Sequence, residues 1–233
     1  DVVDSGRRAQ QPDATKRPTL VANRLNGRPV LRFDGSGQLA EVRPLPVNGL
    51  TGLTVALVNA TTRKWLSDPS EWCGRASEAG CSNTYNSPLL WDETGSWGLV
   101  FLSPLQGEVV FRFGVGAAGT RGEYKPTYTR PVSLGAAFSY TVAVHDRAVN
   151  RLFVQGEAVA LKIGAEAPTY EAPSPEGRAT IANTSDVLRI GSGRFDKAWQ
   201  GDIAEVLVYR RALPDVERRA LERYLACTYF PDR

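Results

Sequence analysis

The stretch SYTVAVHDRAVNRLFVQGEAV, residues 139–159, decides the fold class. In YTVAVH, Tyr140, Val142 and Val144 fall on one side of an extended chain, and Thr141, Ala143 and His145 fall on the other. That period-2 alternation is the mark of a strand. Asp146 and Arg147 then break the run, the apolar residues of LFV resume it, and Gln155-Gly156 turns the chain again. Working outward, VVFRFG repeats the signature, with Val109, Phe111 and Phe113 opposing Val110 and Arg112. Short runs bounded by Gly, Pro, Asn and Asp mark strands at 29–33, 38–42, 53–59, 88–91, 97–102, 108–113, 139–145, 151–154, 158–163, 187–191 and 203–209. No βαβ rhythm separates them. The pattern therefore predicts two antiparallel sheets packed face to face, because each sheet has an apolar side to bury.

One helix is expected, at about 214–228. In PDVERRALERYLACTYFP, Val216, Ala220, Leu221, Tyr224 and Leu225 form one stripe, with Glu217, Arg218, Glu222 and Arg223 outside it. Pro214 suits the first helical position, Asp215 and Glu217 suit the first turn, and Pro231 ends the run. Cys227 is expected to be a small buried residue of this helix, and the helix a lid over one edge or end of the sandwich. The stretches 121–131 and 166–177 are read as loops inside a single domain, 1–233.

The chain has 233 residues, 42% hydrophobic and 23% charged, as an ordinary globular domain does. Its net charge of +3 is spread along the sequence, which argues against a nucleic-acid partner. No apolar run approaches the roughly 20 residues that span a bilayer, so membrane insertion is not expected, and the first residues lack a signal-peptide core. Methionine is absent and the sequence starts at Asp1, which suggests a piece of something longer. A single histidine, His145, excludes a His-based zinc site and leaves one imidazole for any Ser or Cys nucleophile. It is expected in a hairpin turn, structural or solvent-facing. Cys73 and Cys81 bracket GRASEAG. A close pair in such a loop reads as a local disulfide of an exported protein, the alternative being two unpaired thiols.

Three stretches together, KRPTLVANRLNGRPVLRFDGSGQL (16–39), the stretch 139–159 and GDIAEVLVYRRALPDVERRALERYL (201–225), resemble laminin G-like, concanavalin A-like jelly-roll domains. Pro214 departs from the pattern, since relatives often carry a Ser or Thr helix cap there. The resemblance implies an all-β, two-sheet antiparallel jelly-roll sandwich with one C-terminal helix. It further implies an extracellular accessory module, secreted or on a cell surface, that binds a glycan or an extracellular protein. Some relatives hold a calcium ion, for which Asp34, Asp146 and Asp202 are the turn or strand-end carboxylates to consider. Calcium requires six to eight oxygens, and an Asp that caps a turn is the commoner case.

Enzyme readings lack their motifs. Retaining glycoside hydrolysis needs two carboxylates about 5 Å apart, and Glu-x-Asp-x-Glu is missing. The alginate-lyase motifs RTELR and QIH, the Gly-x-Ser-x-Gly elbow and the lysine of a phosphate loop are missing too. Recognition needs aromatic planes and polar donors instead. The segment 61–86 carries Trp65, Trp72 and Tyr85 among polar residues; the alternative is that its tryptophans pin the loop to the sandwich. A second candidate is Arg112 with Tyr124, Tyr128 and Arg130, suited to a carboxylate or sulfate. Two rivals stand beside a lectin: a structural or adhesive subunit that self-associates, and a lyase or hydrolase with an atypical site.

Overall fold

The structure, a computed structural model, describes residues 8–61, 88–91, 100–105, 108–113, 127–129, 137–147, 149–162, 167, 169–173, 180–181, 183, 185–191 and 198–232. Residues 100–105, 108–113, 127–129 and 162 are described by their backbone. The fold is two antiparallel sheets and one helix. The larger, 8-stranded sheet has the order β1 (Thr19–Leu25), β2 (Arg28–Asp34), β15 (Gln200–Tyr209), β4 (Gly52–Thr61), β9 (Ser139–Asp146), β10 (Val149–Val154) and β11 (Glu157–Val159), with β13 (Ala172–Pro173) also on β10. The smaller, 7-stranded sheet has the order β12 (Leu161–Lys162), β8 (Thr127–Thr129), β7 (Glu108–Phe113), β6 (Val100–Leu105), β5 (Leu89–Trp91), β14 (Leu188–Ile190) and β3 (Ala40–Val42).

Strand β4 sits at the middle of the larger sheet, between β15 and β9, and is buried along nearly its whole length. Leu53, Val55 and Leu57 point into the core between the sheets, where Leu89, Trp91, Leu188 and Ile190 of the smaller sheet meet them. Ala56, Val58 and Ala60 point the other way, into a second core with Leu213, Leu221, Leu225 and Tyr229. Both faces of this sheet are therefore covered, one by a sheet and one by the helix α1 (Asp215–Tyr229). This explains why TVALVNAT reads as a continuous apolar run rather than an alternation. The turns obey the same local chemistry. Asn26 and Gly27 both have positive φ, 45° and 71°, and join β1 to β2 as an Asn-Gly hairpin. Gly191 has φ +83°, and a Cβ there would lie 2.0 Å from the Phe33 ring, so only glycine lets β14 end against that core residue.

The helix buries a different stripe from the one its apolar residues mark. Arg218, Leu221, Glu222, Leu225 and Tyr229 face the sheet, while Val216 is 82% exposed and Tyr224 45% exposed. The cause is an ion pair that makes charged positions buriable. Arg218 Nη1 donates to both Glu222 oxygens, at 2.6 and 2.7 Å, and its guanidinium lies 3.7 Å from the Phe153 ring centre. Burial raises the Glu222 carboxyl above its ordinary value, with Arg218 opposing the shift. Tyr224 instead reaches outward to donate to Glu205 at 2.9 Å. The same rotation exposes Cys227, correcting its expected burial. Pro214 is the residue before the helix, one position earlier than expected.

His145 is also corrected. It lies inside β9, fully buried, with Nδ1 3.1 Å from Asn150 Oδ1 across the strand pair, not in a hairpin turn. Strands β1, β8 and β13 were not among the expected segments, the last two falling in stretches read as loops. Among the described residues no helix is long and apolar enough to cross a membrane. Glu222→Ala leaves the buried Arg218 guanidinium with only the exposed Asp215 carboxylate, 3.3 Å from its Nε, and is expected to cost about 2 kcal/mol in urea unfolding, against about 0.5 or less for Val216→Ala.

Candidate functional site

The ends of β2 and β4 and the start of β15 meet at one end of the larger sheet. Register pairs Asp34 with Gln200, Arg32 with Asp202, Thr61 with Gly201 and Ala60 with Asp202. At Gly201, φ +149°, a Cβ would lie 2.2 Å from the Ala60 carbonyl oxygen, so the close approach of β15 to β4 requires glycine. The next residue, Asp202, turns its carboxylate to the helix-bearing face and is only 5% exposed.

That carboxylate is held by two arginines. Arg32 donates through Nε to Oδ1 at 2.7 Å and through Nη2 to Oδ2 at 2.8 Å; Arg24 of β1 donates through Nε to Oδ2 at 3.1 Å. Burial pushes the Asp202 carboxyl up, and the hydrogen bonds and charges of Arg32 and Arg24 outweigh it, holding the group below the ordinary carboxylate value. The same bonds raise Arg32. Arg24 also lies 5.4 Å over the Phe138 ring centre. Both arginine side chains remain nearly half exposed, at 46% and 45%.

Beside them is a depression of about 310 Å³, bordered by Arg24, Arg32, Phe33, Asp34, Ala60, Thr61, Gln200, Gly201 and Asp202. Asp34 Oδ1 accepts from the Ser36 backbone N–H at 2.8 Å, and hydrogen bonding to the side chain and then the backbone of Ser36 lowers its carboxyl from the ordinary value. Thr61 Oγ1 donates to the Gln200 carbonyl at 2.6 Å. Arg24, Arg32, Asp34 and Thr61 on its border are thus each held by a hydrogen bond to a neighbour.

Of the three carboxylates considered for calcium, the fold brings two together. Asp34 and Asp202 border the depression, whereas Asp146 pairs with Gly52 at the opposite end of β4, about 30 Å away at roughly 3.3 Å per residue. Asp146 lies 3.7 Å from Arg151 there. Asp202 does not suit calcium, since two cations already occupy its oxygens, and Asp34 Oδ1 caps a turn. Among the described residues no group of three His, Cys, Asp or Glu side chains is close enough to hold a metal. Trp65, Trp72, Tyr85, Tyr124, Arg130, Cys73 and Cys81 lie outside the described residues. For Arg112 and Tyr128 the backbone register is informative: Val110 pairs with Tyr128, so positions 110, 112 and 128 share a face of the smaller sheet. Continued through Phe101, Leu90 and Arg189, that is the face opposite Leu89 and Ile190 and hence opposite the inter-sheet core.

Two solved structures share this two-sheet architecture. Mouse laminin α1 chain, domains LG4-5, superposes with a TM-score of 0.50 at 15% identity, covering 79% of this chain and 44% of that one. The native heptameric SAP-like pentraxin from Limulus polyphemus gives a TM-score of 0.52 at 10% identity, covering 87% of this chain and 83% of that one. The chain has a laminin G-like, concanavalin A-like jelly-roll fold. It spans less than half the length of the laminin structure. No family model and no curated protein matches the sequence.

Within this laminin G-like sandwich the triad of Arg24, Arg32 and Asp202 escaped sequence reading because its members are 178 and 170 residues apart. Asp202 itself is legible as a carboxylate at a strand end; its partners in the fold are guanidinium groups. Asp202→Asn is expected to cost about 2 kcal/mol at pH 7, the scale of hydrogen bonds between charged groups. Because the folded-state value of Asp202 lies below the unfolded one, its contribution is complete above about pH 4 and is lost as pH falls through the folded value. The gap between wild type and variant in urea melts should therefore close toward pH 2.

Proposed function

We propose that this chain is a non-catalytic recognition module that binds carbohydrate and belongs to a secreted or cell-surface protein. The observation that carries the reading is the depression at the end of the larger sheet, with donors and acceptors of Arg24, Arg32, Asp34, Thr61 and Gln200 around it. A hydroxyl-rich ligand gains from such groups when they are fixed before it arrives, since little ordering remains to be done. The aromatic-rich segment with Trp65, Trp72 and Tyr85 follows Thr61 directly in the chain, and sugar rings stack on aromatic planes. The laminin G-like fold supports the extracellular setting.

The electrostatics favour binding over hydrolysis. A glycosidase acid needs a carboxyl raised toward neutral pH so that it keeps its proton. Asp34 and Asp202, the two carboxylates at the depression, are both shifted down. A second reading, adhesion through protein contacts, is favoured by β1, an edge strand whose Leu20 is 67% exposed. The register of β1 shifts between Val21 and Leu25, with Asn23 at φ 51°, and such an irregularity limits strand addition.

A glycan array of neutral and acidic saccharides tests the reading. Wild type is expected to retain at least one glycan class. Gln200→Trp, which fills the depression from an exposed position, is expected to lower that affinity at least about tenfold, or about 1.4 kcal/mol. Silence across the array, or full binding by the filled variant, would contradict it.

A further inference from the structure

We infer that Arg24 and Arg32 form a subsite for one monoanionic oxyanion, the carboxylate or sulfate of an acidic sugar residue. This deepens the carbohydrate reading and rests on it.

The argument begins with which nitrogens Asp202 uses. It takes Nε of Arg24, and Nε and Nη2 of Arg32. Among the described residues no protein acceptor meets either Nη of Arg24 or Nη1 of Arg32. A guanidinium carries five N–H donors in a fixed plane. The buried carboxylate therefore takes part of each fork, and both residues, with donors to spare, border the depression. The Phe138 ring beneath Arg24 adds a second constraint on that plane. A free arginine would lose about 2 kcal/mol of side-chain entropy on being fixed, and here much of that ordering is already done by folding. Planar forks of this kind match carboxylate and sulfate oxygens.

Charge sets the valence of the ligand. Two guanidinium groups against one Asp202 carboxylate leave a single positive charge on the triad. Asp34, on the same rim, is an ionised acceptor whose Oδ1 is occupied by Ser36. A second negative charge on the ligand would meet Asp34, whereas a hydroxyl would donate to its other oxygen. The site therefore fits one anionic group flanked by hydroxyls, which is the chemistry of a uronate or a singly sulfated sugar.

Calorimetric titration with three probes tests this: cellobiose, the disaccharide in which glucuronate replaces its non-reducing glucose, and cellobiose monosulfate. At low salt the wild type is expected to bind at least one charged probe about tenfold or more tighter than cellobiose. Which charged probe wins separates carboxylate from sulfate, and the preference should shrink at 0.5 M NaCl. Arg24→Gln keeps the two-pronged Arg32–Asp202 bond, and its ratio of charged to neutral affinity should fall to about one. Gln200→Glu, an exposed rim change that leaves the triad intact, should lower the same ratio and serves if the first variant does not fold. Equal affinity of wild type for all three probes, or an unchanged ratio in a folded variant, overturns the subsite while the recognition reading stands. Failure of all three probes to bind overturns the subsite; the array result then decides the broader reading separately.

Discussion

A carboxylate removed from water costs several kcal/mol unless cations and donors replace the lost hydration. Asp202 meets that condition by drawing Arg32 from β2 and Arg24 from β1 onto its two oxygens. These three residues lie on three adjacent strands of the larger sheet, and the ion cluster ties its outer edge together where the backbone hydrogen bonds of β1 become irregular. The depression follows from the same arrangement. Gly201 allows β15 to lie close on β4, Asp202 holds the arginines at one wall, and the Asp34 turn forms the other.

The other constraint is that the larger sheet is covered twice. Its inner face packs on the smaller sheet and its outer face on the C-terminal helix, so β4 and β9 are apolar on both sides, apart from a few buried polar groups such as His145. The helix achieves its share with a charged pair. Arg218 and Glu222 lie one turn apart, Asp215 adds a second carboxylate 3.3 Å from the Arg218 Nε, and the guanidinium face meets Phe153. Thr54 of β4 both donates to the Arg211 carbonyl and accepts from the Leu213 N–H, fixing the turn that delivers the helix. Among the described residues that border the depression, none belongs to the helix.

What could be read from the sequence follows from the range of each interaction. Alternation in YTVAVH and VVFRFG, and the turn residues around them, are local, so the two-sheet architecture and the helix were legible. Strand β1 is not legible as a strand, because its burial pattern is almost wholly exposed and carries no apolar alternation. The helix phase is not legible locally because Arg218 and Glu222 read as water-facing residues; only Phe153, 65 positions away in the chain, makes that face suitable for them. The settings of Cys227 and His145 are non-local for related reasons, one fixed by the helix rotation and one by the cross-strand partner Asn150. The arginine triad has no local signature at all. Asp202 was legible as a residue of interest, but a lone carboxylate at a strand end does not announce whether a metal, a turn or a cation awaits it.

The most direct test of this account is the ionisation of Asp202 itself, followed through its side-chain carboxyl carbon by NMR as pH is lowered. A midpoint clearly below about 3.9, the unperturbed aspartate value, that rises in Arg32→Gln, is the result expected from a buried carboxylate governed by two guanidinium groups. A midpoint at or above the ordinary value, unmoved by loss of Arg32, would contradict it.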